Sequence, residues 1–553
     1  MKNDLSKRTL LVLLLLAIVA WFSTLDYRKL IKTDEGRYAE ISREMALSGD
    51  WLTPRLNGIK YFEKPPLQYW ATAAAFKVFG FHEWTARLWT ALTGFLTVLV
   101  VWWSGRKLFG ESAGLYAAMV LISNLYFVLM GHVNALDMGL TLFTTLALAG
   151  FCFAQRDGAT RQEQKLGMLL TWAAMAFSVL SKGLIGIVLP SVTLLLYSLL
   201  ARDWTVWRRL SLIPGLLIFL AIAAPWFLAV SMVNPEFPRF FFIQEHFLRY
   251  ATDEGRREGP VYYFISILLI GMLPWMVVML DTLWRTAKER SKLDRAALIL
   301  LIWTIFVFVF FSISKSKLPS YILPMFPALA LLMGRHLAAL SASELKTRII
   351  PVGLIMLAGF FFIAKAADDI RGPISRPFYQ QYEYWLYAAT AVTLCGVIYC
   401  LYQAGKGRKL AALIGFSAAG LVASLMILNG HNTLAPTQSS YDIAQKIRPL
   451  LTPNVPFYSV RTYDQTLPFY LNRTLTLVDY RDEFDYGLKQ QPELAIHGMD
   501  DFHLRWTADK QAFALMTPQE HETLHSRGLP MEVVLNDGKR VIVRKPDAVS
   551  SMQ

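Results

Sequence analysis

The chain has 553 residues, of which 54% are hydrophobic and 17% are charged, and its formal net charge at pH 7 is +14. This composition excludes an ordinary soluble protein and is typical of a polytopic membrane protein. The positive charge does not indicate nucleic-acid binding, because most of the excess cations lie in short loops that orient membrane spans. The three cysteines, Cys152, Cys395 and Cys400, all lie in apolar segments and predict neither a disulfide framework nor a thiolate metal site.

Apolar runs long enough to cross a hydrocarbon core of ~30 Å recur from Leu10 to about Leu428, and we count roughly thirteen. Each is predicted to be a helix, because the bilayer offers no partners for free backbone groups. Loops rich in Lys and Arg are assigned to the cytoplasm, so residues 26–83, 131–137, 231–260, 315–318, 368–383 and those after about 430 face outward. The cytoplasmic set includes Arg106, Lys107, Arg156, Arg161, Lys165, Arg202, Arg208, Arg209, Lys406, Arg408 and Lys409.

The first outward segment, residues 26–83, is too polar for a span. Apolar side chains recur at helical spacing between Asp34 and Gly49, which predicts a short amphipathic helix on the outer surface. Pro65 and Pro66 open a second helix over residues 67–79, which is too short to span and is predicted to be interfacial. The next span then occupies residues 84–103.

After residue 430 the hydropathy drops. Short β-type runs at 456–460, 475–478 and 512–516, and a hairpin over 531–543, alternate with helical stretches at 441–448 and 518–527. This pattern predicts a membrane domain over residues 1–430 and a small soluble α/β domain over residues 431–553. We interpret the histidines of that domain as surface residues.

Two motifs of the first outward segment indicate chemistry. Asp34 and Glu35 either cap the surface helix or supply an active-site base or charge stabiliser, and Arg37 behind them is a suitable phosphate ligand. Glu63 and Lys64 stand before two prolines at a helix N-terminus, where a lysine suits a phosphate. An ordinary surface ion pair is the alternative, but it rarely sits in such an aromatic and proline-rich frame.

The other outward loops add further candidates. Asp137 begins a span that is otherwise apolar, and we expect it to share a pocket with Asp34 and Glu63. His246 is a candidate partner of Glu63 in a zinc site, although a lone histidine is more often structural. Further cations that face outward favour an anionic partner there over topological noise. They are Arg249 as a phosphate clamp, Lys182, and Lys315 and Lys317 in the run that ends at Tyr321.

These motifs together resemble the bacterial lipid A 4-amino-4-deoxy-L-arabinose transferases, which are C-type glycosyltransferases related to the protein O-mannosyltransferases. The resemblance covers essentially the whole chain. The motifs that carry it are Asp34-Glu35-Gly36-Arg37-Tyr38, Tyr61-Phe62-Glu63-Lys64-Pro65-Pro66-Leu67, Asn134-Ala135-Leu136-Asp137 and Ser316-Lys317-Leu318-Pro319-Ser320-Tyr321.

The resemblance implies transfer of aminoarabinose from undecaprenyl phosphate to lipid A at the periplasmic face of the inner membrane, with resistance to polymyxin as the consequence. It makes Asp34 the principal catalytic carboxylate and Asp137 a second one, with Glu63 and His246 as a metal site. Lys64 and Arg249 would lie near the donor phosphate. The residues themselves add Glu35 as a catalytic candidate and Arg37 as a phosphate ligand. They also add Lys182, Lys315, Lys317 and Tyr321 as acceptor ligands.

Two other interpretations stay open at this stage. A relative could transfer another sugar or use a protein acceptor. A lipid flippase would belong to a different class, but transporters place ionisable residues near the bilayer midplane and show matched halves, whereas these charges crowd the outer interface.

Overall fold

The computed structural model describes residues 6–248, 259–368 and 374–546. The membrane domain is built from helices. They are α1 (Lys7–Phe22), α2 (Asp34–Ser48), α3 (Leu67–Phe79), α4 (Glu83–Phe109), α5 (Glu111–Ile122), α6 (Leu125–Met130), α7 (Asp137–Gln155), α8 (Arg161–Lys182), α9 (Ile185–Ala201), α10 (Thr205–Arg208), α11 (Leu212–Val233), a π-helix (Arg239–Leu248), α12 (Tyr263–Gly271), α13 (Met276–Lys288), α14 (Arg295–Ile313), α15 (Met325–Ala339), α16 (Ala342–Asp368), α17 (Arg376–Gly405) and α18 (Lys409–Gly430).

Among the described residues, seven helices are long and apolar enough to cross a membrane, or eight when α12 and α13 count as one bent span. The seven are α4, α7, α11, α14, α16, α17 and α18. The shorter apolar helices α5, α9 and α15, together with α1 and α8, bring the number of segments to the roughly thirteen predicted. The predicted polytopic helical architecture is therefore confirmed.

Several helices begin or end at the outer face, and these ends position the polar side chains of the site. Helix α2 begins at Asp34, with both acidic residues in its first turn, and ends at Gly49, whose φ of 74° terminates the helix. Helix α7 begins at Asp137 and α8 ends at Lys182. The predicted outer helices are both present as α2 and α3.

The residues after α18 form a soluble unit with one mixed sheet. Its strands are ordered β5-β4-β3-β6-β8-β7, in which β5, β4, β3 and β6 run parallel and β8 pairs antiparallel with β6 and β7. The helices are α19 (Ala435–Gln438), α20 (Tyr441–Ile447), α21 (Leu467–Leu471), α22 (Asp485–Gln490), α23 (Met499–Ala508) and α24 (Pro518–Ser526). The strands are β3 (Phe457–Val460), β4 (Thr476–Val478), β5 (Ala495–Ile496), β6 (Phe513–Met516), β7 (Glu532–Asn536) and β8 (Val541–Arg544), and a separate hairpin of β1 (Arg55–Leu56) and β2 (Ile59–Lys60) precedes α3.

The C-terminal unit packs directly on α2, which is therefore less exposed than a helix on a membrane surface. Eleven of its fifteen residues are buried. One hydrophobic cluster joins side chains of α2 and α3, such as Ile41 and Phe76, to Phe457 and Phe469 of the C-terminal unit. The Asn57 side chain accepts from the main-chain N–H of Leu475 at 2.7 Å and donates to its carbonyl oxygen at 2.6 Å. These contacts hold the C-terminal unit against α2, α3 and the hairpin at the outer face of the membrane domain.

Candidate active site

A cavity of about 470 Å³ opens at the outer face of the membrane domain. Its lining combines three cations and four carboxylates with a set of apolar side chains. The charged side chains are Arg37, Lys64, Lys182, Asp34, Glu63, Asp137 and Glu245. The apolar side chains include Leu140, Leu184, Ile185, Val188, Phe310 and Phe311. Such a cavity matches a ligand with a charged head and a hydrocarbon tail.

Asp34 and Arg37 face the cavity from the first turn of α2. The Asp34 side chain is 34% exposed, and its Oδ1 lies 3.6 Å from Nη1 of Arg37. Arg37 is buried, and its Nη2 lies 3.5 Å from Oε1 of Glu483 in the C-terminal unit. Burial lowers the pKa of Arg37, but Tyr61, Tyr38 and Glu483 outweigh it, so the pKa lies above its usual value. Arg37 therefore remains a cation at the cavity wall.

Lys64 is paired across the cavity and not with its sequence neighbour. Its ammonium lies 3.2 Å from Oε2 of Glu245 and donates to the main-chain oxygen of Glu63 at 2.8 Å. Glu245 belongs to the π-helix and was not among the predicted site residues. Only its position beside His246, in a motif already suspected, pointed to it. Tyr38 is a second lining residue outside the predicted set.

Asp137 and Lys182 meet at the far wall, where α7 begins and α8 ends. Their side chains form an ion pair and are only 10% and 15% exposed. The Lys182 ammonium also lies 4.8 Å from the centroid of the Tyr321 ring, which is cation–π distance. The fold thus joins the predicted second carboxylate to two of the predicted acceptor ligands.

Glu35 lies away from the cavity, although it follows Asp34 directly. Its carboxylate accepts from Nε and Nη2 of Arg87 at 2.8 and 2.9 Å, and neither side chain is exposed. Burial opposes ionisation, but the Arg87 guanidinium outweighs it and lowers the pKa of Glu35 to about 2. Successive helical residues point in different directions, so only one of the two acids can face the ligand. The catalytic assignment of Glu35 is replaced by a structural one.

The predicted cluster of three outward lysines does not converge. Lys317 is buried and donates to the main-chain oxygens of Ser312 and Ser314 at 2.9 and 2.6 Å, at the carbonyl end of α14. A cation at a helix C-terminus is stabilised by the helix dipole, which explains why the Lys317 side chain turns towards the end of α14. Lys315 is exposed, and neither lysine lines the cavity. Lys182 is the member of the cluster that does.

The metal prediction is not tested by the described side chains. Glu63 lines the cavity, whereas Arg249 and the side chain of His246 lie outside the described residues. Within the described part of the chain, no group of three or more His, Cys, Asp or Glu side chains could hold a metal ion. The nearby Glu245 is already paired with the Lys64 ammonium. We therefore derive no chemical step through a metal.

Comparisons with known proteins cover the whole chain. A family model described as aminoarabinose transferase C-terminal domain matches residues 443–545, and one described as dolichyl-phosphate-mannose-protein mannosyltransferase matches residues 8–241. An undecaprenyl phosphate-alpha-4-amino-4-deoxy-L-arabinose arabinosyl transferase from Pectobacterium atrosepticum is 30% identical over 98% of this chain and 99% of its own length. A protein of the same name from Erwinia tasmaniensis is 30% identical over 84% of both chains.

A solved structure also matches this chain over nearly its whole length. The crystal structure of ArnT from Cupriavidus metallidurans bound to undecaprenyl phosphate superposes with a TM-score of 0.93 and 37% sequence identity. The match covers 99% of this chain and 100% of that chain.

Proposed function

This chain belongs to the family of undecaprenyl phosphate-alpha-4-amino-4-deoxy-L-arabinose arabinosyl transferases, and we propose that its acceptor is a phosphate group of lipid A. The protein is a glycosyltransferase of the bacterial inner membrane, and its donor is the sugar linked to undecaprenyl phosphate. One observation carries the proposal: a single outer-face cavity combines cations, carboxylates and an apolar extension.

The apolar lining and the cations suit the donor lipid. Leu184, Ile185 and Val188, at the start of α9, offer hydrocarbon contacts for the first isoprene units, and Lys64 and Arg37 line the same cavity. In the proposed reaction an oxygen of the acceptor phosphate attacks the anomeric carbon. The bond from that carbon to the undecaprenyl phosphate oxygen breaks, and the electron pair stays on the departing phosphate. Lys64 and Arg37 stabilise this developing charge. Arg249 remains a predicted third phosphate ligand.

The carboxylates suit the amino sugar and its transition state. The sugar ammonium needs an anionic partner, which Asp137 or Glu63 supplies from the cavity wall. Asp34 faces the same space and is assigned to stabilise the positive charge at the anomeric carbon or to orient the acceptor. An acceptor phosphate is largely ionised at neutral pH, since its second pKa is near 6, so a strong general base is not required.

The acceptor is assigned to the wall formed by Lys182 and Tyr321. Of the three lysines predicted as acceptor ligands, Lys182 lines the cavity, and a phosphate there would share its ammonium with Asp137. Binding of the acceptor thus loosens the hold of Lys182 on Asp137 and leaves that carboxylate available to the sugar ammonium. Adding this cationic sugar to lipid A masks negative charge, which explains resistance to polymyxin and other cationic peptides.

Mass spectrometry of lipid A tests the proposal. A polymyxin-sensitive strain that makes the donor lipid but lacks its own transferase would express the wild type or Asp34→Asn. We expect the mass of aminoarabinose on lipid A with the wild type only, at equal amounts of protein in the membrane. Unmodified lipid A with well-expressed wild type would contradict the proposed acceptor and favour another sugar or a protein acceptor.

A further inference from the structure

A second cavity, of about 200 Å³, lies in the cytoplasmic half of the membrane domain. Its walls come from the inner halves of α7, α8, α9 and α14, and α10 lies at its cytoplasmic end. This places it on the other side of the membrane from the sugar-transfer cavity. The lining includes Phe151 and Met168, Pro190 and Leu194, and Ile299 and Trp303.

The cavity is suited to a hydrocarbon chain. Its two threonines already bond within their own helices: Thr171 donates to the Gly167 oxygen at 2.9 Å and Thr193 to the Leu189 oxygen at 2.8 Å. They have no free donor for a polar ligand. Ser191, on the exposed side of α9, also lines the cavity and marks an opening towards the bilayer. An apolar space of this kind excludes water and takes up apolar molecules.

The cytoplasmic rim of the cavity is aromatic and basic. Trp207 lines the cavity, is 41% exposed and stacks on Trp204, with ring centroids 6.2 Å apart. Such tryptophans lie at the headgroup level of a membrane. Arg202 and Arg208 are exposed beside them, and Arg209 is half-buried. Arg208 and Arg209 stand between the lining residues Trp207 and Leu210, so this loop brings cationic residues to the cytoplasmic rim of the cavity.

Within the described parts of the chain, Arg202, Arg208 and Arg209 have no ion-pair partner. Several other arginines of the cytoplasmic face are held by carboxylates, such as Arg106 by Glu111 and Arg335 by Asp294. Unpaired basic residues also occur in other cytoplasmic loops, where they orient the chain in the membrane. The three arginines are set apart by their place in the sequence beside residues that line an apolar cavity.

We propose that this rim and cavity bind an anionic glycerophospholipid of the inner leaflet. Part of one acyl chain occupies the cavity, and the headgroup phosphate lies near the arginines, which bind phosphate oxygens through paired N–H donors. The site depends on neither the donor nor the acceptor of sugar transfer. Its effect is to fix α10 and the inner ends of α8 and α9.

Native mass spectrometry of the full-length protein tests the proposal. The purified protein is given phosphatidylglycerol or phosphatidylcholine with the same acyl chains. We expect the wild type to retain phosphatidylglycerol more strongly than phosphatidylcholine. The double variant Arg208→Gln with Arg209→Gln should lose this preference, because retention of phosphatidylglycerol should weaken about fivefold for each arginine removed. Ser191→Trp fills the opening from the lipid side and should weaken retention of phosphatidylglycerol in the same way.

The matched control is Arg161→Gln with Arg408→Gln, which removes two exposed cytoplasmic arginines away from this cavity. The control should retain phosphatidylglycerol like the wild type, and all variants should keep sugar transfer, which reports folding. Equal retention of the two lipids by the wild type would overturn the proposal. So would an equal loss in the control pair, unchanged retention in Ser191→Trp, or stronger competition for the site by undecaprenyl phosphate.

Discussion

The carboxylate of Glu35 accepts two hydrogen bonds from the guanidinium of Arg87, at 2.8 and 2.9 Å, in a site from which water is excluded. Arg87 also donates to the main-chain oxygens of Leu25, Arg28 and Lys29. The Glu35 carboxylate accepts from the main-chain N–H of Asn134 at 3.1 Å. One buried ion pair thus ties α4 to the segment before α2 and to the loop before α7. Asp34 and Asp137 are the first residues of these two helices, α2 and α7.

We expect Glu35→Gln to destabilise the protein. The substitution leaves the Arg87 charge buried without its counter-ion, which costs about 3 kcal/mol or more. The Tm of the detergent-solubilised protein measures this, with Glu493→Gln, an exposed carboxylate of the C-terminal unit, as the control. An unchanged Tm with lost activity would instead return Glu35 to the catalytic residues.

The same pair predicts how stability depends on pH. The pKa of Glu35 in the folded protein is about 2, below the value near 4.3 of an unfolded glutamate. The ionised form is favoured by folding, so this stabilisation, about 3 kcal/mol, is complete above pH ~4.3 and is lost as the pH falls towards ~2. The Tm difference between wild type and Glu35→Gln should therefore shrink from pH 5 to pH 3. A difference that stays constant over this range would contradict the assignment.

The sequence predicted the elements of the fold well wherever local pattern decides structure. Helices α2 and α3, the strands β3, β4 and β6 and the terminal hairpin all lie where periodicity and turn residues put them. The two-residue strand β5 was missed, because so short a run carries no alternation. The packing of the C-terminal unit on α2 was missed as well, since contacts such as Asn57 with Leu475 join residues far apart in the chain.

The sequence predicted which types of residue belong to the site, but it did not predict the direction in which each side chain points. Asp34, Glu63, Lys64, Asp137 and Lys182 do line one cavity. Asp34, Asp137 and Lys182 stand at helix ends on the outer face, and Glu63 and Lys64 lie in the loop before α3. Glu35 and Lys317 are charged residues of the same motifs, yet they turn away from the cavity. Glu35 pairs with Arg87 of α4, and Lys317 turns back to the carbonyl end of α14. Sequence spacing within one loop does not show which neighbour will neutralise a buried charge.

Asp34→Asn should abolish transfer without unfolding the protein. Asp34 is partly exposed at the cavity, and its contact with Arg37 is long, at 3.6 Å. We expect the rate with purified donor lipid and lipid A to fall by about 10²–10⁴-fold, with an unchanged Tm. Asp442→Asn, an exposed aspartate of α20, is the control and should be fully active. A drop of only a few-fold for Asp34→Asn would move the principal role to Asp137.

Substituting two neighbouring lysines distinguishes binding of the donor phosphate from a general effect of surface charge. Lys64 lines the cavity, whereas Lys60 is paired with Glu236 at 2.8 Å and does not. Lys64→Gln should lower kcat/KM for the donor by about 10- to 150-fold, as expected for loss of a charge-assisted hydrogen bond. Lys60→Gln should change it little. Equal effects of the two substitutions would show that the charge of the outer loop matters, and not the position of Lys64.

Gly36→Ala tests whether the C-terminal unit fixes the catalytic end of α2. A Cβ at Gly36 would lie 2.7 Å from the main-chain carbon and oxygen of Gln465, which is closer than contact allows. The C-terminal unit must then shift, at a cost of about 1–3 kcal/mol, and the contact of Arg37 with Glu483 is lost. We expect a lower Tm, faster proteolysis of the C-terminal unit and reduced transfer.

Gly359→Ala is the matched control for this substitution, because a Cβ there meets nothing within 4 Å. Helix α16 should tolerate the change, since alanine is the better helix former. If Gly36→Ala behaves like Gly359→Ala in Tm, proteolysis and transfer, close packing of the C-terminal unit on α2 does not hold Arg37 in place. The cavity wall would then be set by the membrane domain alone, and removing Glu483 by Glu483→Gln should likewise leave transfer unchanged.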